Sequence, residues 1–290
     1  MNVCSCTGSI LIDKGKKNRL LLRKMSVLFF DIDNTLYSHR THRIPQSAMN
    51  ALRIAKERGH LLFLCSGRSV QGLADYYDHG LFDGLIASSG ATGILHGEMV
   101  FSHIIPDEIA EEVISLSEEY DFGLFIHCLK RSLMNPFGCE RLSVIFQRNE
   151  AKLEETGFSM MRSFPKEPIQ KIDIFYRKDS LVNEIRKRFP KVLDDCAHLD
   201  PERIDFGSEL TIAGVSKGSA VLEMMRILGK KTKDSFGFGD SENDIEMLKQ
   251  CGTGIAMGNA DPLTKAAADY VTTDIDEDGI LNAMKYFELI

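Results

Sequence analysis

A chain of 290 residues is long enough for two domains with separate hydrophobic cores. Its net charge of −7 argues against a general nucleic-acid-binding protein, and no apolar run is long enough to span a membrane. Seven cysteines, an odd number without a Cys-x-x-Cys pair, are typical of a reducing compartment, so we expect a cytoplasmic protein without a disulfide framework.

The first 24 residues differ from the rest because they are basic in an otherwise acidic chain. They contain no apolar core long enough for a secretory signal. Met25 directly precedes an apolar run, so we expect that translation begins there and that residues 1–24 are not part of the native protein. The alternative is a solvated tail.

The first predicted strand is the apolar run Val27–Phe30, which ends at two carboxylates, Asp31 and Asp33. A continuous apolar run is typical of a buried parallel strand, and ligands bind at the carboxyl ends of such strands. Two like charges this close require a cation, a proton or both. One carboxylate could attack an electrophile while the other moves a proton.

Strand and helix patterns then alternate. A helix is predicted after Pro45 and ends at Gly59, and a second strand, 60–65, ends at Ser66, Gly67 and Arg68. Ser66 could bind an anion or cap the next helix, Gly67 would let the backbone approach closely, and Arg68 could pair with an anion. A further helix and a short strand at 85–87 follow.

The middle of the chain, 88–205, predicts a separate α/β unit. It contains a hairpin at 92–105, a helix at 107–120, strands at 122–129 and 171–176, and a helix at 180–189. The pattern at 135–168 is mixed and predicts no element.

The first pattern resumes after residue 205. Ser216 is a candidate cap for a helix that begins at Lys217, where a cation opposes the helix dipole unless an anion lies nearby. A glycine-rich strand at 234–239 ends at Asp240, a candidate ligand for Mg²⁺. Strands at 253–257 and 270–272 and helices at 261–268 and at the C-terminus complete the chain. The pattern predicts a doubly wound parallel-sheet, Rossmann-like core (25–87 and 206–290) with an inserted α/β cap domain (88–205).

Four segments in this order resemble the haloacid dehalogenase (HAD) superfamily. Phe29 to Thr35 is similar to its motif I (hhhhDxDxT), Ser66 to its motif II, Lys217 to its motif III, and Gly239-Asp-Ser-Glu-Asn-Asp244 to its motif IV. The large insert between motifs II and III resembles the Cof-type group, subclass IIB. One departure is Ser88-Ser89-Gly90-Ala91, where that group usually has Asn-Gly-Ala.

The resemblance implies a Mg²⁺-dependent hydrolase of small phosphomonoesters, such as a sugar phosphate. Asp31 would be the nucleophile, Asp33 the general acid and base, and Lys217 the group that steadies the nucleophile and phosphoryl group. Ser66, Gly67, Arg68 and Asn243 would bind phosphate, and the metal site would use Asp31, the backbone carbonyl of Asp33, Asp240 and, as an outer ligand, Asp244.

Two other functions fit part of the same pattern. A phosphotransferase of the mutase type would share all four motifs and pass the phosphoryl group to a sugar. A non-catalytic sensor of a phosphorylated ligand would not need the second aspartate, Asp33. The expected partner is a small phosphorylated metabolite, with no nucleic acid and no membrane, and the pattern predicts no oligomeric state.

Overall fold

The structure is a computed structural model that describes residues 25–77, 80–140, 158–176, 187–188, 193–198 and 206–290. The predicted tail, 1–24, lies outside the described residues. So does nearly all of the helix predicted at 180–189.

Fourteen strands are described, numbered β1 to β14 in chain order. They are β1 Val27–Phe30, β2 Leu61–Cys65, β3 Gly84–Ala87, β4 Thr92–Leu95, β5 Glu98–Ser102, β6 Gly123–Cys128, β7 Ser132–Met134, β8 Phe158–Met160, β9 Ile169–Tyr176, β10 Leu193–His198, β11 Phe206–Ile212, β12 Ser235–Gly239, β13 Thr253–Ala256 and β14 Tyr270–Val271. The helices used below are α1 Gln46–Glu57, α2 Ala74–Tyr77, α3 Asp107–Tyr120, α4 Lys217–Ile227, α5 Ile245–Gln250, α6 Pro262–Ala267 and α7 Gly279–Tyr286.

The first sheet has eight strands in the order β14-β13-β12-β1-β2-β3-β4-β5. The strands from β14 to β3 pair in parallel, whereas β4 and β5 add an antiparallel hairpin at one edge. Strand β1 therefore lies in the interior, between β12 and β2. The central strands of a parallel sheet are covered on both faces, which explains why the run Val27–Phe30 is apolar at every position.

Helices cover both faces of this sheet. On one face Leu28 and Phe30 of β1 pack in a core with α1 and α7. On the other face Val27 and Phe29 pack in a core with α4 and α5. This three-layer arrangement confirms the predicted doubly wound α/β core.

The second sheet has six strands in the order β10-β11-β9-β6-β7-β8, antiparallel except for the β7–β8 pair. Helix α3 packs on one face of it, where Ala110, Val113 and Leu116 meet Ile172 and Ile174 of β9. This sheet and its helix form the inserted α/β unit.

The limits predicted for the insert, 88 and 205, do not coincide with the membership of the two sheets. The predicted hairpin forms as β4 and β5, but β4 pairs with β3 and so belongs to the first sheet. At the other end, Phe206–Ile212 pairs with β9 and belongs to the second sheet. The hairpin extends the parallel sheet because the chain reverses directly after β3, through Ser88–Gly90, instead of crossing over through a helix.

No helix in the described part of the chain combines the length and the apolar character needed to cross a bilayer.

Candidate active site

The carboxyl ends of three neighbouring parallel strands bring the motif residues together. Asp31 follows β1, Ser66 follows β2 and Asp240 follows β12. Because β12, β1 and β2 are adjacent and parallel, their carboxyl ends meet at one edge of the sheet. The Asp31 backbone N–H donates to the carbonyl of Phe238 at 2.9 Å, which continues the β1–β12 ladder beyond the strand and fixes Asp31 at that edge.

Three buried carboxylates form a cluster there. One oxygen each from Asp31, Asp240 and Asp244 lies within 4.8 Å of the others. Burial raises the pKa of Asp31 well above its usual range, although Lys217 opposes the shift. Burial, with the nearby Asp244, raises the pKa of Asp240 to about 7. Crowded, desolvated carboxylates with hard oxygen atoms suit a divalent cation, and the residues present therefore fit the predicted metal site.

Lys217 lies against the same cluster. Ser216 and Ser219 form a capping box that starts α4, which points the next residue, Lys217, at the strand ends. Its ammonium donates to Asp31 and Asp244 at 2.7 Å each and to Asn243 Oδ1 at 3.0 Å. Burial acts to lower the pKa of Lys217, but Asp244 and Asp31 more than compensate and raise it. The anions predicted to lie near Lys217 at the start of the helix are thus two carboxylates of the protein, Asp31 and Asp244.

Asp244 has a second structural task. Its Oδ2 accepts hydrogen bonds from the backbone N–H groups of Asp240 at 3.0 Å and Ser241 at 3.2 Å. Its other oxygen binds Lys217. The carboxylate therefore closes the turn after β12 and holds the lysine at the same time.

The side chain of Asp33 is not one of the three clustered carboxylates and has partners of its own. Arg68 binds it with two hydrogen bonds, Nε to Oδ2 at 2.8 Å and Nη2 to Oδ1 at 2.5 Å. His39 Nε2 lies 2.8 Å from the same Oδ1. Burial acts to raise the pKa of Asp33, but the hydrogen bonds and charge of Arg68, with a smaller effect of His39, lower it overall. Arg68 was predicted to bind a phosphate, but in the structure it binds the carboxylate of Asp33.

The loop after β2 is fixed by a second loop, Ser88–Gly90. The Ser88 and Ser89 backbone N–H groups donate to the carbonyls of Arg68 at 2.8 Å and Ser66 at 3.1 Å. Both serines have left-handed backbones, with φ of 51° and 54°, which is uncommon outside glycine and asparagine. Thus Ser88–Gly90, which departs from the family pattern, still holds the motif II loop in place through these backbone hydrogen bonds.

Sequence reasoning missed three residues of this region: His39, Ser89 and Glu209. His39 lies only six positions after Asp33, but it belongs to none of the four motif-like segments. Ser89 donates to Glu209 of the second sheet, 120 positions away in the chain. A contact between segments so far apart leaves no local pattern, so only the folded structure reveals it.

A family profile and several known proteins match the chain. The profile of haloacid dehalogenase-like hydrolases covers residues 28–284. Phosphatase YwpJ of Bacillus subtilis is 28% identical over 90% of this chain and 99% of that protein. A phosphoglycolate phosphatase of Methanoculleus marisnigri is 27% identical over 91% and 97%. The HAD subclass IIB sugar phosphatase BT4131 superposes with a TM-score of 0.78, at 30% identity, over 92% of this chain and all of that one.

The chain therefore belongs to the haloacid dehalogenase-like hydrolases. Within that family its relatives and its inserted unit identify it as a Cof-type hydrolase, and it is a phosphoric monoester hydrolase.

Proposed function

We propose that this phosphatase hydrolyses a small phosphorylated metabolite, such as a sugar phosphate, with Mg²⁺ and through an aspartyl phosphate on Asp31. The observation that carries the proposal is the position of one buried carboxylate, Asp31, which accepts a hydrogen bond from Lys217 and lies within 4.8 Å of two further carboxylates, Asp240 and Asp244. This arrangement combines a nucleophile, a fixed cation and a set of metal ligands at one point.

Asp31 is the nucleophile in this scheme. One of its carboxylate oxygens forms a bond to phosphorus while the bond from phosphorus to the leaving oxygen breaks. A protonated carboxyl group attacks poorly, and burial favours the protonated form of Asp31. Lys217 counteracts this because its ammonium lies 2.7 Å from the carboxylate and stabilises the charged form.

Asp33 is the general acid and base. It gives a proton to the leaving oxygen, and in the second step it takes a proton from the water that attacks phosphorus and releases Asp31. The hydrogen bonds from Arg68 favour the carboxylate form of Asp33. This form can act as the base in the second step but cannot give a proton in the first. A phosphate dianion is an alternative partner for the guanidinium. Substrate binding would therefore move Arg68 from Asp33 to the phosphate, and the pKa of Asp33 would rise.

Asp31, Asp240 and the backbone carbonyl of Asp33 would hold Mg²⁺, with Asp244 as an outer ligand. When bound, the ion supplies positive charge that offsets the repulsion among these carboxylates and the charge that develops on the phosphoryl oxygens. Ser66 and Asn243 would orient the phosphate, and the backbone at Gly67 would approach it closely. Chelation should abolish turnover, and added Mg²⁺ should restore it.

Rapid-quench kinetics with a ³²P-labelled aryl phosphate test the scheme. We expect Asp33→Asn to form the phosphorylated enzyme and hydrolyse it slowly, because water then lacks its base, with a loss of about 10²- to 10⁴-fold in turnover. Asp31→Asn should carry no label at all. Peptide mapping should locate the label on Asp31.

Two outcomes would contradict the scheme. Label on Asp33, or no label in any of these proteins, would exclude Asp31 as the nucleophile. If the label passes to an added sugar phosphate and little inorganic phosphate is released, the chain is a phosphotransferase of the mutase type.

A further inference from the structure

Within the described residues, two side chains donate to the carboxylate of Asp33, and they use its oxygens differently. Arg68 binds both oxygens, with Nε 2.8 Å from Oδ2 and Nη2 2.5 Å from Oδ1. His39 binds one, with Nε2 2.8 Å from Oδ1. An ionised carboxylate only accepts hydrogen bonds, so the hydrogen of this contact belongs to Nε2 of His39. When Arg68 moves to the phosphate, as the proposed function requires, Oδ2 becomes free while Oδ1 keeps a donor.

His39 belongs to the same turn as Asp33. The backbone N–H of Asn34 donates to the carbonyl of Tyr37 at 2.8 Å, and Asp33 and Tyr37 form a short parallel backbone pairing. The ring of His39 lies edge-on to the ring of Tyr37, with centroids 5.5 Å apart. His39 is therefore fixed to the segment that carries Asp33, whereas Arg68 comes from the loop after β2.

The loop that carries His39 is anchored on both sides of this residue. The hydroxyl of Ser38 and Nε of Arg40 each donate to Oδ2 of Asp276 at 2.9 Å. The guanidinium of Arg40 also binds Asp274. The side chain of His39 is 50% exposed, but Ser38 before it is buried. The imidazole is thus presented to Asp33 from a backbone that contacts with a distant segment hold in place.

Both roles of Asp33 need one free oxygen with a fixed direction. As the acid, Asp33 gives its proton to the leaving oxygen, which takes the electron pair of the broken bond to phosphorus. As the base, it takes a proton from the water whose oxygen bonds to phosphorus, and the Asp31 oxygen leaves with its electron pair as a carboxylate. The terminal torsion of an aspartate is broad, so a carboxylate without a donor has no single orientation. Orientation of the reacting groups contributes strongly to rate.

Resting on the proposed function, we propose that His39 is a positioning residue for the general acid and base. Its N–H holds Oδ1 of Asp33 through both steps and leaves Oδ2 to carry the proton. The role needs a hydrogen-bond donor and no charge, so an amide N–H should replace the imidazole. The residue acts on the reaction through Asp33 alone.

The first test compares kcat/KM of full-length variants in Mg²⁺ with two probes, p-nitrophenyl phosphate and the best of glucose 6-phosphate, mannose 6-phosphate and glycerol 3-phosphate. An alkoxide needs a proton to leave, whereas nitrophenolate hardly does. His39→Phe keeps a ring against Tyr37 but has no N–H. Because kcat/KM reports the steps up to release of the leaving group, we expect a fall of about 10-fold for the alkyl phosphate and little change for the aryl phosphate. This is part of the roughly 10²- to 10⁴-fold that general acid–base catalysis contributes.

A second readout needs only the aryl phosphate, labelled with ³²P. Loss of label from Asp31 requires Asp33 as the base, so in rapid-quench experiments His39→Phe should slow it by about 10-fold. His39→Gln retains an N–H donor and should recover most of this rate. In the Asp33→Asn background, His39→Phe should have no further effect, because its effect passes through Asp33. His42→Phe, at an exposed position of the same loop, is the matched control and should leave both readouts unchanged.

Equal losses of kcat/KM for the two probes in His39→Phe, or a further loss in the Asp33→Asn background, would overturn the proposal, since His39 would then only stabilise the loop. Unchanged rates in His39→Phe would overturn it too, as would a loss in His39→Gln as large as in His39→Phe. Failure of the proposed function looks different: the wild type would release phosphate from none of the probes, or Asp31→Asn would still release it.

Discussion

Replacing Asp240 by Asn should stabilise the metal-free protein and remove its response to Mg²⁺. Asp240 ends β12 inside the carboxylate cluster, where burial and Asp244 raise its pKa from 3.8 to about 7. The hydroxyl of Thr35 donates to Asp240 Oδ1 at 2.9 Å, and an Asn oxygen could accept the same bond. The substitution thus removes a charge with little change in shape.

The sign of the pH effect follows from the raised pKa. The folded protein binds the Asp240 proton more tightly than the unfolded chain, so this group lowers the free energy of unfolding as the pH rises from about 4 to about 7. A difference of about 3 pKa units corresponds to about 4 kcal/mol at pH 8. Asn does not titrate. In EDTA the free energy of unfolding of the variant should therefore exceed that of the wild type by up to about 4 kcal/mol at pH 8 and by little at pH 4.

The assay is urea unfolding followed by circular dichroism, in EDTA and in Mg²⁺, at pH 4.5 and pH 8. Mg²⁺ at 100 times its dissociation constant should stabilise the wild type by about 2.7 kcal/mol at pH 8 and the variant by much less. Asp75→Asn, at an exposed position of α2, is the matched control. If wild type and Asp240→Asn lose the same stability between the two pH values in EDTA, the argument from crowded carboxylates is refuted.

Two further substitutions test the surroundings of the cluster. Lys217→Met leaves Asp31 and Asp244 buried without their cation. We expect loss of phosphatase activity and a destabilisation of about 3–5 kcal/mol in urea unfolding at pH 8. An unchanged midpoint of urea unfolding would contradict the assigned ion pairs. Gly90→Ala places a Cβ against the carbonyl of Ser216 at a residue with φ of 106°, so it should cost at least about 2 kcal/mol, whereas Gly97→Ala, also at positive φ but with open space around it, should cost less in the same assay.

The sequence was sufficient where the signal is local. An apolar run that stops at a polar residue identifies both a buried parallel strand and the edge of the sheet where its end lies. For this reason Asp31, Ser66 and Asp240 could be placed at one edge before the fold was known, and the structure brings their strands together. The start of α4 at Lys217 could also be predicted, because Ser216, which caps the helix, directly precedes Lys217.

The sequence was insufficient where the outcome depends on pairing across the chain. The hairpin β4–β5 has the same local pattern in either sheet, and only its pairing with β3 assigns it to the first. Arg68 was predicted as an anion-binding residue, but the pattern did not indicate that Asp33, 35 positions earlier, would be its partner. Glu209 carries no motif, and its position beside Gly67 depends on the contact of β11 with the loops after β2 and β3.

The two ends of the eight-stranded sheet bear on edge-to-edge aggregation. An edge strand exposes unpaired backbone groups that another chain can extend, and natural sheets blunt such edges by shortness, charge or irregularity. At one end β14 has only two residues, Tyr270–Val271. At the other end β5 begins with Glu98, and its pairing with β4 is interrupted between Gly93 and Ile94. Both edges are therefore poor templates for a strand of a second molecule, which protects a large apolar sheet from edge-to-edge aggregation.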